Sequence, residues 1–182
     1  MTVTLERGEQ RRLEEILSYV RAFHEHEDIR LSEQQRLSAI RSLLGESRLG
    51  RIFLIRSGSR TVGYVAVCFG YSIEFEGRDA FVDEIFIEPE SRGMGHGQNA
   101  LRLLKQEMER LGIKALHLEV DRTNEKARHL YHSVGFEPRE KYFLMSAFLS
   151  GTTAEIHAEA QIRAADAGGS ELIDRASQEE TS

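Results

Sequence analysis

Two spacings of apolar residues organise the chain as far as residue 148. Val3-Thr4-Leu5 reads as a short opening strand. Leu13, Ile16, Leu17, Val20 and Phe23 then recur at intervals of three and four, the signature of one buried helix face. A charged stretch, His24-Glu25-His26-Glu27-Asp28, follows. Ser32 and Gln35 next form a capping-box pattern ahead of Leu37, Ile40, Leu43 and Leu44, which predicts a second helix. Ile52-Phe53-Leu54-Ile55 and the run from Val62 to Phe69 read as strands around the turn Ser57-Gly58-Ser59-Arg60, so residues 51–70 form a hairpin.

Residues 80–87 make a further strand with a break in its rhythm. Its apolar positions Val82, Ile85 and Ile87 are spaced by three and then two, which fits a β-bulge near Asp83 and Glu84. Pro89 stops this strand. Leu101, Leu104, Met108 and Leu111 predict a helix closed by Gly112, and Ala115 to Val120 predicts another strand. Asn124 opens a short helix with apolar positions Ala127, Leu130, Tyr131 and Val134, ended by Gly135, and Tyr142 to Phe148 reads as a last strand. Beyond Ser150 the chain is rich in Ala, Glu, Gly and Ser, with only scattered Ile and Leu. The pattern predicts a domain over residues 1–149 and a mobile or weakly helical acidic tail over 150–182.

Composition narrows the class. A chain of 182 residues can bury the core of one domain. No apolar run approaches the roughly 20 residues of a membrane span, and the N-terminus lacks a basic region followed by an apolar stretch. The expected location is the cytoplasm, with no membrane partner. Of the net charge of −6, most sits in residues 151–182, where seven acidic side chains face two basic ones. The remainder is nearly neutral and lacks the basic face of a nucleic-acid binder. The single cysteine, Cys68, lies in the apolar run 64–69 and reads as a small core side chain.

The chemistry is carried by the loop Arg92-Gly93-Met94-Gly95-His96-Gly97, which lies between a strand and a helix. A helix start leaves backbone N–H groups unpaired and concentrates positive potential, so this order of elements makes an anion site. Glycines at 93, 95 and 97 admit a pyrophosphate close to the backbone, and Arg92 adds a charge-assisted contact. A dinucleotide fingerprint would need glycine at position 98, which is Gln98, and the Gly-Lys-Ser/Thr of a P-loop is missing.

These residues resemble the GNAT acetyltransferases, whose signature is Arg or Gln, two residues, Gly, one residue, then Gly or Ala. Val82 to Pro89 is similar to that family's central strand, and Asn124 to Phe136 to its second motif, so the likeness reaches residue 148. The resemblance implies an α/β (α+β) fold, the GNAT fold, with a mixed, mostly antiparallel central sheet of six to seven strands flanked by about four helices. It implies acetyl-CoA as co-substrate; no metal is expected, since no ligand set is visible in the sequence. The backbone at Ile85, Phe86 and Ile87 would pair with the pantetheine arm, the amides from Met94 through Gly95 and His96 to Gly97 would hold the pyrophosphate, and Asn124 and Tyr131 would line the far side.

An amine attacks a thioester only when neutral, and an alkylamine with pKa near ~10.4 is mostly protonated at pH 7, so a base is required. Asp83 and Glu84 at the bulge are the candidates, Glu84 first. The departing thiolate needs an acid, and Tyr131 matches the family tyrosine in that role, although its place on an apolar helix face also fits simple packing. The region from Phe69 to Glu84 and the cluster Glu25 to Asp28 are loosely similar to diamine and polyamine acetyltransferases. Glu25 and Glu27, with Glu74, Glu76 and Asp79, would then attract a cationic amine. His24 and His26, two apart on a helix, point away from one another and form no metal site.

The expected function is an acetyl-CoA-dependent N-acetyltransferase acting on a small cationic amine by direct attack. A protein-lysine or N-terminal acetyltransferase and a non-catalytic acyl-CoA sensor are the alternatives. The edge at Tyr142 to Phe148 is a candidate for pairing in a homodimer.

Overall fold

The computed structural model describes residues 2–147 and 149. They fall into two compact units, one of residues 2–23 and 32–139, and a smaller one of 24–31 with those from 140 onward. The expected tail, 150–182, lies outside the described residues. Among the described residues no helix is long and apolar enough to cross a membrane.

Among the described residues, five strands form one sheet: β1 (Val3–Arg7), β2 (Gly50–Ser57), β3 (Arg60–Ser72), β4 (Gly77–Ile87) and β5 (Ala115–Leu118). Their order in space is their order in the chain, with every pairing antiparallel except the parallel β4–β5 ladder. The α-helices among the described residues are α1 (Leu13–His26), α2 (Glu33–Gly45), α3 (His96–Arg110) and α4 (Glu125–Ser133). The fold is thus mixed α/β, as expected, and the predicted helices all form.

Side-chain alternation gives the sheet two buried faces. Phe53, Ile55, Val65, Val67, Val82, Ile85 and Ile87 pack with Ala100, Leu101, Leu104 and Met108 of α3. Ile52, Leu54, Tyr64, Ala66 and Phe86 pack with Ile16, Leu17 and Val20 of α1 and Ile40 of α2. Both faces are therefore covered, which is why β2 and β3 read as near-continuous apolar runs rather than alternating ones.

The bulge forms where the apolar spacing places it. Ala66 pairs with Glu84 while Val67 pairs with Val82, so the register skips Asp83. That one extra residue turns Val82 and Ile85, three apart, onto the same face.

The strand count is a correction. Residues 142–147 form no strand, Phe148 lies outside the described residues, and the sheet has five strands among those described rather than six or seven. Tyr142, Phe143, Leu144 and Met145 are exposed. Apolar β-formers favour a strand only where a ladder and a covered face reward it, and side-chain type alone supplies neither. The edge expected to serve subunit pairing is accordingly missing from 142–147.

The capping box on α2 is complete: the Gln35 amide donates to Ser32 Oγ (3.3 Å), and the Ser32 amide donates to Gln35 Oε1 (2.7 Å). Replacing Ser32→Ala should lower unfolding free energy by about 1 kcal/mol in urea titration. A loss within experimental error would show that α2 is held by packing alone.

Candidate active site

The candidate site begins where β4 outruns its neighbour. The parallel ladder joins Asp79–Val82 to Ala115–Leu118 and stops there, while β4 runs on to Ile87 along β3. Past Val82, no strand among the described residues pairs with the side of β4 that β5 had covered, so among these residues the backbone there forms an open edge. The stretch that opens contains Ile85, Phe86 and Ile87.

At the end of that edge the chain makes a 3-10 turn, Pro89–Ser91, and enters the glycine loop. Gly93 and Gly95 both hold φ of +77°, a left-handed conformation that a β-carbon penalises. Gly95 is the N-cap of α3, so no side chain caps the helix, and no acidic residue occupies its first turn. The first amides of α3 have no intrahelical acceptor and face no negative side chain of their own turn. A β-carbon on Gly97 would lie 3.4 Å from Leu130 Cδ2 and 3.9 Å from Ile87 Cγ1, so the first turn of α3 sits against both β4 and α4.

Arg92 is aimed by its neighbours. Its Nε donates to the Ile87 carbonyl (2.9 Å), and its guanidinium carbon lies 5.5 Å from the centre of the Phe86 ring. Met94 is exposed at the loop tip. His96 differs: its side chain is buried, with Nδ1 3.0 Å from the Ser91 carbonyl and Nε2 3.1 Å from Ser57 Oγ.

The two carboxylates of the bulge have different surroundings. Glu84 turns toward the α1 and α2 face, where the fully buried Tyr64 donates its hydroxyl to Glu84 Oε2 at 2.5 Å. Burial first, and then the charges of Glu84 and Asp83, push the Tyr64 hydroxyl well above its ordinary value, so it stays a donor at all physiological pH. Asp83 is exposed. Tyr64 was not legible as a site residue, because its place in the apolar run Val62–Phe69 marks it as core. Only the cross-strand register, Tyr64 beside Phe86 and Ala66 beside Glu84, brings its hydroxyl to the carboxylate.

On α4, Asn124 is the N-cap, its side chain accepting from the Ala127 amide at 3.0 Å. Tyr131 is half-buried against the α3-side core, its ring edge-to-face with Phe136 at 6.0 Å. Glu25 and Glu27 are exposed and belong to the smaller unit. Among the described residues, no three His, Cys, Asp or Glu side chains gather as metal ligands would.

Residues 12–136 match the acetyltransferase (GNAT) family, and the chain belongs to that family. It is 32% identical over 78 residues to the thialysine N-epsilon-acetyltransferase of Bos taurus, covering 43% of this chain and 45% of that protein. The chain thus matches slightly less than half the length of that curated relative. An integron cassette protein from the mobile metagenome of Cole Harbour salt marsh superposes with a TM-score of 0.71 at 30% identity, over 80% of this chain and 90% of that one. A predicted acetyltransferase of Clostridium acetobutylicum, solved with acetyl-CoA, shares the fold at TM-score 0.65 and 16% identity, over 80% and 96% of the two chains.

Cys68 lies on β3 two residues past Ala66, and burial, then the Asp83 and Glu84 charges, push its thiol up to about 11. Its reaction with a disulfide reagent at pH 8 should run roughly a hundredfold slower than that of free cysteine, climbing about tenfold per pH unit and levelling off only near that value. Stopped-flow or absorbance traces matching free cysteine at pH 8 would contradict this shielding.

Proposed function

We propose that the chain is an acetyl-CoA-dependent N-acetyltransferase, its domain running over residues 1–149, that transfers an acetyl group to the primary amine of a small cationic molecule. The observation that carries this reading is the start of α3, where two left-handed glycines present uncapped amides at the end of an open β4 edge. A diphosphate suits such a place, because each unpaired amide gains an acceptor and the helix dipole favours the charge. In this reading the amides from Met94 to Gly97 bind the donor's diphosphate and Arg92 adds its cation. The backbone of Ile85, Phe86 and Ile87 pairs with the pantetheine arm, with Asn124 and Tyr131 on the opposite side.

The reaction follows from proton bookkeeping. The amine must first lose a proton, which Glu84 accepts directly or through water, with Asp83 as the other carboxylate within the bulge. Tyr64 supports Glu84 in this role by fixing one carboxylate oxygen. The nitrogen then forms a bond to the acetyl carbon as the carbon–sulfur bond breaks; the departing sulfur takes a proton from Tyr131, and the second proton shed by the nitrogen returns to Tyr131 through water, leaving a neutral amide and the free CoA thiol. Much of the rate gain is positional, since the donor arm and the amine are held at a set distance. The likeness to a thialysine acetyltransferase supports a small primary amine as acceptor, and Glu25 and Glu27 supply negative charge suited to a cation.

The test is release of free CoA thiol from acetyl-CoA with a panel of diamines, polyamines, thialysine and lysine peptides. Turnover on a small amine supports the reading, and donor binding without turnover on any amine favours an acyl-CoA sensor. For an active amine, Tyr131→Phe should cut kcat by about a hundredfold while leaving the donor KM within about twofold. Unchanged turnover would remove Tyr131 as the acid. Glu84→Gln should lower kcat by a similar factor, and full activity in that variant would shift the role to Asp83 or to solvent.

A further inference from the structure

His96 stands between two glycines in the loop, yet its side chain is turned inward at 7% exposure. Its two ring nitrogens meet partners from distant parts of the fold. Nδ1 lies 3.0 Å from the Ser91 carbonyl, and a carbonyl only accepts, so Nδ1 carries the hydrogen. In the neutral ring Nε2 then accepts, and Ser57 Oγ, 3.1 Å away, donates. Ser57 ends β2, and Ser91 ends the 3-10 turn before the loop. Both are buried, at 8% and 4% exposure. Ser91 Oγ in turn donates to Glu88 Oε1 at 3.0 Å, and Glu88 pairs with Arg60 of β3 at 2.5 Å. A polar chain thus runs from the β2–β3 turn through Glu88 and Ser91 to the first turn of α3.

The loop needs such an anchor. Gly93 and Gly95 have no side chains to hold them, and glycine surrenders more backbone freedom on ordering than any other residue. An anion that had to order this loop on arrival would lose that free energy from its affinity, whereas a loop fixed beforehand would not. A leucine at position 96 would fill the space but make neither hydrogen bond.

We infer that the His96 imidazole is a positioning residue for the donor: it holds the amides of the α3 start in their anion-binding arrangement without touching the anion. This rests on the donor reading above. Calorimetry with CoA as the probe tests it on the full chain, comparing wild type, His96→Leu, His96→Asn and Ser57→Ala. Thermal melting and amide hydrogen exchange of the ligand-free proteins accompany it.

His96→Leu should weaken CoA about tenfold and speed exchange of the amides at 94–98. His96→Asn, whose side-chain N–H takes the place of Nδ1, should recover part of both. Ser57→Ala, remote in sequence from the loop, should weaken CoA about threefold with little change in Tm. The double variant His96→Leu/Ser57→Ala should bind no more weakly than His96→Leu, since one contact cannot be lost twice. Wild-type affinity in His96→Leu and Ser57→Ala, even with a lowered Tm, would reduce His96 to a packing residue and overturn the inference. Should wild type itself fail to take up CoA, the donor reading falls. Amide exchange then decides separately whether His96 holds the loop: unchanged rates at 94–98 in His96→Leu would show that it does not, and faster rates that it does.

Discussion

One extra residue in β4 governs the geometry of the site. Because the β3–β4 register skips Asp83 between Val82 and Glu84, the strand keeps Val82, Ile85 and Ile87 on the α3 core and still turns Glu84 to the opposite face, where Tyr64 meets it. Strict alternation would have set Val82 and Ile85 on opposite faces, leaving one of them outside the α3 core. The bulge therefore reconciles an apolar core with a carboxylate inside the same strand. It also marks the level at which β5 stops following β4 and the edge opens.

The second constraint is electrostatic. Polypeptide chains usually satisfy a helix start with a serine, threonine or aspartate side chain, as Ser32 does for α2 and Asn124 for α4. The start of α3 has a left-handed glycine in that position. Withholding the cap leaves the amides available and the local potential positive, at the cost of a less stable helix end. The cost is offset from below and behind, by packing of Ala100, Leu101 and Leu104 into the core and by the hydrogen bonds of His96.

Much of this was legible in the sequence, for reasons that differ by element. The helices showed because each turns one apolar face to the core, only partly buried in α4, and three of four carry end signals, such as Ser32 with Gln35, or Gly112 and Gly135. The bulge showed because apolar spacing records which side chains must reach a core, and Val82, Ile85 and Ile87 could not do so in a regular strand. The glycine loop showed because backbone conformation restricts residue type there. What failed to show depended on contacts between distant segments. Tyr64 and His96 look like core and loop residues until the register brings Glu84, Ser57 and Ser91 beside them. Tyr142 to Ala147 misled in the opposite sense, since β-forming side chains there stand without a ladder.

The alternation within the glycine loop bears on how such a chain can change over generations. Positions 93 and 95 are locked by stereochemistry, because their φ of +77° penalises every residue with a β-carbon. Met94 between them is 67% exposed. Mutational drift is thus blocked on either side of a position that tolerates it, and diversification of the loop's outer surface is channelled through residue 94 while the amide scaffold stays the same.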